Sequence, residues 1–120
     1  MNPKIVGGVI VGIVVLVVGF GIVAGRQTGP TRDLTKFAPC LTDKGLVMYG
    51  AAWCPHCQRE KKGFGEAFKY VSYVECPDNP KLCTEKGISG YPTWILEDGT
   101  KLEGEQGVEK LSTVTGCVIE

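Results

Sequence analysis

Twenty uncharged residues near the amino terminus divide the chain into two parts of different character. The run Ile5–Ala24 contains only Ile, Val, Leu, Gly, Phe and Ala. A helix of this length rises about 30 Å, which matches the hydrocarbon core of a bilayer. The run therefore predicts one transmembrane helix in residues 1–25, and the rest of the 120-residue chain suffices for a single small domain.

This apolar run has two interpretations, which differ in whether it stays part of the mature protein. It is longer than the apolar core of a secretory signal peptide, about 7–15 residues, which favours a permanent signal anchor. The alternative is a cleaved signal peptide with its cleavage site near Ala24 and Gly25. One lysine precedes the run, and Arg26, Arg32 and Lys36 follow it. By the positive-inside rule alone, that asymmetry would place the following domain in the cytoplasm.

The cysteine content favours the opposite side of the membrane. Six cysteines are many for so small a domain. In a reducing cytosol such a set indicates metal binding or catalysis, whereas outside the cytosol it indicates disulfides. We therefore expect a single-pass protein whose domain lies on the extracytoplasmic side, periplasmic or lumenal. The formal net charge is zero and no basic stretch stands out, which gives no indication of nucleic-acid binding.

The remaining chain alternates between strand-like and helix-like segments. Residues 26–32 are expected to form a polar linker and residues 33–120 the domain. Strands are expected at 46–49, 71–74, 93–96 and 101–102, the last two joined by an Asp98-Gly99 turn. Helices are expected at 34–41 (with Asp33 as N-cap and a possible break at Pro39), 54–68, 78–86 and 108–115, with stops at Gly87 and Gly116. This order predicts an α/β fold: a small mixed sheet with helices on both faces.

Two cysteines separated by two residues, Cys54 and Cys57, stand at the start of the second predicted helix. Backbone N–H groups at a helix start lack partners and carry partial positive charge, which stabilises a thiolate. The cysteine pKa in such motifs falls from about 8.5 to about 3.5–7.5. We therefore predict that Cys54 is the exposed nucleophile and that Cys57, one turn later, is the resolving thiol.

The two residues between the cysteines are expected to tune their redox behaviour. Pro55 loses no hydrogen bond in a first helical turn. His56, the only histidine, can stabilise the Cys54 thiolate by charge or hydrogen bonding. A stabilised thiolate makes the disulfide a better oxidant. The alternative for His56 is a solvated surface residue without a role in the chemistry.

Other uses of the motif fit its spacing less well. A zinc site would need Cys76 and Cys83 as further ligands, but these do not form the tight second pair that zinc sites prefer. A c-type haem requires histidine directly after the second cysteine, where Gln58 stands. We therefore expect no metal and no bound cofactor.

The series WCPHC, a strand, GYPT ahead of a TWIL strand, and a DG turn resembles the thioredoxin family over residues 46–117. The resemblance implies a thioredoxin-like mixed β-sheet with flanking helices. It also implies that the Tyr91-Pro92 bond is cis and faces Cys54, and that Trp53, Tyr91 and Pro92 contact substrate. From the residues alone, Pro92 could instead be an ordinary trans proline that begins a strand.

Within that family, residues 37–76 with the later LC and GISGYPTW are similar to the thioredoxin-like domain fused to bacterial vitamin K epoxide reductase homologues. The similarity implies transfer of oxidising equivalents from a quinone-linked membrane enzyme to cysteine-containing exported proteins. This chain has one membrane segment rather than a helical bundle, so a separate reoxidase is expected. Cytosolic thioredoxins carry a buried acid six residues before the first cysteine, where this chain has Met48, which disfavours a fast general reductase.

The other four cysteines are expected to be structural. The resemblance implies a Cys76–Cys83 disulfide. Cys40 and Cys117 then remain as a second pair, which would tie the two ends of the domain together. Six cysteines allow fifteen pairings, so either thiol could also be free or pair with another chain.

Three functions follow from these observations. The first is a thiol–disulfide oxidoreductase that forms disulfides in exported proteins through Cys54 and Cys57. The second is a reductase with the same active site that receives electrons through the membrane. The third is a non-catalytic binding module that uses the Tyr91-Pro92 groove or a metal. A Cys54→Ala variant that kept full activity would support the third and exclude the first two.

Overall fold

The computed structural model describes residues 32–120. The predicted transmembrane helix at Ile5–Ala24 and nearly all of the predicted linker lie outside the described residues. Between residues 32 and 120, no helix is both long and apolar enough to span a bilayer.

Four short strands form one mixed sheet. They are β1 (Val47–Gly50), β2 (Ser72–Glu75), β3 (Thr93–Ile95) and β4 (Lys101–Glu103). Their order across the sheet is β2-β1-β3-β4, with β1 and β2 parallel and the other two pairs antiparallel. The expected β-α-β unit and hairpin are therefore both present in the described part of the chain.

Four α-helices and two 3₁₀ segments complete the domain. The helices are α1 (Phe37–Asp43), α2 (Pro55–Phe64), α3 (Pro80–Glu85) and α4 (Gly107–Thr115). The 3₁₀ segments are Gly65–Tyr70 and Cys76–Asp78. Gly116 ends α4 in the left-handed conformation at φ 77°, as its sequence position predicts.

Successive side chains of the strands point to opposite faces of the sheet and build two separate cores. On one face, Met48 and Trp94 are cross-strand partners, and both are fully buried in the main core with residues of α1, α2 and α4. On the other face, Tyr49 and Ile95 pack with Cys76 and Cys83 in a smaller cluster. Helices therefore cover both faces of the sheet.

A buried carboxylate fixes α4 against the helix that carries the cysteines. Glu60 lies on α2 and is only 4% exposed. Its two oxygens accept hydrogen bonds from the backbone N–H groups of Gln106 (2.7 Å) and Gly107 (2.8 Å), where α4 begins. These N–H groups have no partners within the helix, so Glu60 satisfies them.

Two disulfides stabilise the domain, one between its two ends and one within a short segment. One links Cys40 in α1 to Cys117 just after α4, with a Cα–Cα separation of 5.9 Å. The other links Cys76 to Cys83 and so ties the second 3₁₀ segment to α3.

The first two predicted helices differ from the observed ones. Asp33 is not an N-cap, because its carboxylate accepts hydrogen bonds from the backbone and side chain of Thr35 and α1 begins only at Phe37. Pro39 does not break α1, since a residue in the first turn has no intrahelical acceptor for its N–H. The second helix ends at Phe64 rather than Phe68, because the next residue, Gly65, takes a positive φ of 56°.

Candidate active site

The two motif cysteines lie where the chain passes from β1 into α2. Cys54 is the N-cap residue of α2, with extended backbone angles (φ −77°, ψ 121°), and Pro55 occupies the first helical turn. Cys57 follows in that turn and is completely buried. The geometry places both thiols at the positive end of the helix dipole.

Cys54 is less accessible than the sequence predicts. Only 5% of the residue is exposed, so the expectation of an exposed nucleophile is wrong. Its Sγ lies 3.8 Å from the carbonyl oxygen of Tyr91, which belongs to a loop 37 residues further along the chain. The motif alone gives no sign of this cover, because it comes from a segment that only the fold brings close.

The loop that covers Cys54 contains a cis peptide bond between Tyr91 and Pro92. Pro92 is fully buried, and its carbonyl oxygen accepts a hydrogen bond from Gly104 N–H (2.8 Å) beyond β4. The Trp53 ring is 68% exposed and meets the ring of Tyr91 edge-on, with centroids 6.0 Å apart. The three residues expected to contact substrate therefore lie together beside Cys54.

The two thiols differ in acidity. Burial acts to raise the pKa of Cys54, but hydrogen bonds from Cys57 and from the His56 backbone, together with the charge of Arg59, outweigh it and lower this pKa. Burial raises the pKa of Cys57 to about 11. Near neutral pH, Cys54 is therefore the better nucleophile and Cys57 keeps its proton.

The His56 side chain is held by two charged neighbours rather than by Cys54. Its Nδ1 lies 3.1 Å from Oε1 of Glu105 and 2.7 Å from Nη2 of Arg59. Arg59 Nε donates to the same oxygen of Glu105 at 2.7 Å. Sequence reasoning missed Glu105, because it lies 49 residues from His56 and no local pattern marks it.

A second hydrogen-bonded network joins two residues of β2 to the loop before Cys54. Tyr73 Oη donates a hydrogen bond to Oε2 of Glu75 at 3.0 Å. The other carboxylate oxygen of Glu75 accepts from the backbone N–H of Ala52 at 2.7 Å, and Gln58 Nε2 donates to the Ala52 carbonyl at 3.0 Å. Side chains therefore hold both polar backbone groups of Ala52, two residues before Cys54.

No metal cluster is present in the described range. Residues 32–120 contain no group of three or more His, Cys, Asp or Glu side chains placed to bind one ion. Cys76 and Cys83, the two further ligands that a zinc site would need, are bonded to each other.

Comparison with known proteins assigns the family. The family model described as Thioredoxin matches residues 33–118. The chain belongs to the thioredoxin family.

Several family members are similar in sequence or structure. The thiol-disulfide oxidoreductase LTO1 of Arabidopsis thaliana is 44% identical over 89 residues, covering 67% of this chain and 23% of that protein. Protein disulfide isomerase-like 2-2 of Oryza sativa subsp. japonica is 33% identical over 84 residues, covering 58% and 23%. The chain thus spans about a quarter of these relatives. The structure of mitochondrial thioredoxin 3 from Saccharomyces cerevisiae matches with a TM-score of 0.45 and 21% identity, covering 71% of this chain and 90% of that one.

Proposed function

We propose that the chain is a membrane-anchored, extracytoplasmic thiol–disulfide oxidoreductase that forms disulfides in exported proteins. The observation that carries this proposal is the asymmetry of its two free thiols. Cys54 lies at a helix start with a lowered pKa, whereas Cys57 is completely buried with a raised one. The names of relatives in the family, an oxidoreductase and a disulfide isomerase-like protein, support the same class of chemistry.

The reaction exchanges one disulfide for another. A substrate thiolate attacks Sγ of Cys54 in the Cys54–Cys57 disulfide, and Cys57 leaves with the electron pair and takes up a proton. A second substrate thiolate then attacks the substrate sulfur of the mixed disulfide and expels the Cys54 thiolate. The substrate loses two electrons and gains a disulfide, and the chain is left as a dithiol.

The oxidising direction follows from the stability of the reduced form. Interactions that stabilise the Cys54 thiolate favour the dithiol and make the disulfide a stronger oxidant. The buried Met48 also stands in place of the acid that cytosolic thioredoxins carry, which disfavours a fast general reductase. Trp53 and Tyr91 border Cys54 and provide the surface on which an extended substrate segment docks, and the buried Pro92 holds this loop in place.

The location and recycling partner belong to the same proposal. The apolar run Ile5–Ala24 acts as a signal anchor, and two disulfides in a domain of this size suit an oxidising compartment. A separate quinone-linked membrane enzyme of the vitamin K epoxide reductase type reoxidises the dithiol. The sequence similarity to domains fused to such enzymes supports this partner.

Trapping of the mixed disulfide tests the chemistry. The full chain in detergent, as Cys57→Ser, is mixed with a disulfide-linked peptide dimer, and Cys54→Ser serves as the matched variant. We expect Cys57→Ser to hold one peptide in a stable adduct and Cys54→Ser to hold none. Equal trapping by both variants, or by neither, would overturn the assignment of Cys54 as nucleophile.

The direction of reaction is tested with the wild-type chain. We expect the oxidised chain to convert about one equivalent of a dithiol peptide to its disulfide in glutathione buffer poised near the extracytoplasmic range. A chain that instead leaves the dithiol peptide reduced and reduces peptide disulfides would favour the reductase.

A further inference from the structure

The resolving step requires a proton acceptor that the active-site motif does not supply. Cys57 is completely buried and its pKa is raised to about 11, so it is a thiol near neutral pH. It must lose this proton when it attacks the mixed disulfide at Cys54. Met48, at the position where cytosolic thioredoxins carry a buried acid, is apolar and fully buried.

Tyr73 shares a small space with the sulfur of Cys57. A Cβ atom added at Gly50 would lie 2.8 Å from Sγ of Cys57, 3.3 Å from the Tyr73 ring and 3.5 Å from Tyr73 Oη. Cys57 Sγ and Tyr73 Oη therefore both lie next to the position that a side chain at Gly50 would fill. Strand pairing explains the arrangement, since Gly50 on β1 lies opposite Glu75 on β2.

Tyr73 links this space to a carboxylate. Its hydroxyl donates to Glu75 Oε2 at 3.0 Å, and Glu75 is otherwise held by Ala52 N–H. Burial raises the pKa of Tyr73 far above its ordinary value, with the Glu75 hydrogen bond acting in the same direction. Tyr73 therefore stays a phenol, which has a lone pair to accept one proton while it donates its own.

The charged groups around Cys57 favour loss of its proton in the mixed disulfide. Lys61 Nζ lies 4.0 Å above the Tyr73 ring, and its charge acts to lower the pKa of Cys57. Cys54, the other ionisable neighbour, acts to raise that pKa while it is a thiolate but carries no charge in the mixed disulfide. Protonated Lys61 and disulfide-bonded Cys54 cannot accept the proton, whereas the carboxylate of Glu75 can.

We propose that Glu75 accepts the proton of Cys57 through the hydroxyl of Tyr73. This inference rests on the proposed thiol–disulfide exchange. When the dithiol is reoxidised, Cys54 is bonded to a sulfur of the oxidising partner. Cys57 Sγ bonds to Cys54 Sγ, the bond from Cys54 to the partner sulfur breaks, and that sulfur leaves as a thiolate with the electron pair. The Cys57 proton passes to Tyr73 Oη as the Tyr73 proton passes to Glu75. When Cys57 is the leaving group, the same route runs in reverse and returns the proton.

Glu75→Gln separates this role from a structural one. Its amide oxygen can still accept from Ala52 N–H, and its amide NH₂ can donate to Tyr73 Oη, so the contacts persist while the carboxylate is lost. Tyr73→Phe removes only the hydroxyl and keeps the ring beneath Lys61. Glu66→Gln is the matched control, because it removes one negative charge from an exposed residue in the 3₁₀ segment beyond the far end of α2.

The experiment follows the reaction of the reduced full chain, in detergent, with the chromogenic disulfide dithiobis(nitrobenzoate) by stopped flow. Attack by Cys54 releases the first coloured thiolate, and resolution by Cys57 releases the second. We expect Glu75→Gln and Tyr73→Phe to slow the second phase about tenfold near pH 7 and leave the first phase unchanged. The deficit should shrink toward about pH 10, where hydroxide removes the proton instead. Glu66→Gln should match the wild type in both phases.

Three outcomes would overturn the inference. They are a second phase at the wild-type rate in both variants, a deficit that is the same at every pH, and equal slowing of both phases. The last two indicate a structural role for Glu75 through Ala52. A failure of the proposed thiol–disulfide exchange looks different. In that case the wild-type chain shows no second phase, or shows one that persists in Cys57→Ser.

Discussion

His56 Nδ1 lies 3.1 Å from a carboxylate oxygen of Glu105. The same oxygen accepts a hydrogen bond from Arg59, whose positive charge acts to lower the pKa of Cys54. Burial acts to raise the pKa of Glu105, but its hydrogen bonds with His56 and Arg59 outweigh this effect and lower it. Glu105 therefore keeps a negative charge next to Arg59, the cation whose charge acts on Cys54.

Loss of that negative charge is expected to make Cys54 more acidic. In Glu105→Gln, the charge of Arg59 is no longer balanced and stabilises the Cys54 thiolate more strongly. We predict a lower Cys54 pKa and a more oxidising disulfide, measured by thiolate absorbance against pH and by equilibration with glutathione. Glu66→Gln should change neither. An unchanged or higher Cys54 pKa in Glu105→Gln would contradict this account.

Gly50 is expected to tolerate no side chain. A Cβ there would lie 2.8 Å from Cys57 Sγ, so Gly50→Ala must displace the resolving thiol. We predict a loss of about 1–3 kcal/mol in the free energy of unfolding and slower release of the second coloured thiolate. Gly63→Ala on α2 is the matched control, because nothing lies within 4 Å of its added carbon. It should be neutral or stabilise by up to about 1 kcal/mol. Equal effects at the two positions would refute the close contact.

Glu60 is expected to make stability depend on pH. Burial raises its pKa above the ordinary 4.5, so the folded chain binds this proton more tightly than the unfolded chain. The stability that this proton contributes is fully present below the pKa of Glu60 in the unfolded chain and is lost as the pH rises through its pKa in the folded chain. We predict that Glu60→Gln costs about 2 kcal/mol and that the cost, measured by urea unfolding, is larger near pH 4 than near pH 7. A cost that grows with rising pH would contradict a raised Glu60 pKa in the folded chain.

The two structural disulfides are expected to contribute unequally to stability. Cys40 and Cys117 are 77 residues apart, whereas Cys76 and Cys83 are seven apart. In the chain-entropy model, the longer loop stabilises by about 4.5 kcal/mol and the shorter by about 2.5 kcal/mol. Urea unfolding of the two double-alanine variants measures both values. A larger loss from the short loop would show that native-state packing around Cys76 and Cys83 outweighs loop entropy.

The strands and the redox motif could be predicted because their signals are local. The β-rich runs, the Asp98-Gly99 turn and the Gly116 stop lie within a few residues of the elements they define, and the structure confirms them. Asp33 shows where local rules compete. Its carboxylate can cap a helix or close a turn with Thr35, and the turn is the one observed.

The surroundings of the motif could not be predicted, because tertiary register creates them. Glu75 lies opposite Gly50 only through the pairing of β1 with β2. Glu105 contacts His56 only because its loop lies beside α2. Sequence reasoning therefore found the reacting atoms, and the family resemblance indicated the cis Tyr91-Pro92 bond that faces Cys54 in the structure. It missed the carboxylates of Glu75 and Glu105.

The reduction potential of the full chain in detergent, equilibrated with glutathione and read by thiol alkylation, tests the central claim most directly. An oxidising Cys54–Cys57 pair predicts a potential well above the roughly −270 mV of thioredoxin, toward the roughly −120 mV of the strongest periplasmic oxidant. A potential at or below the thioredoxin value would contradict disulfide formation as the function and would favour a reductase supplied with electrons through the membrane.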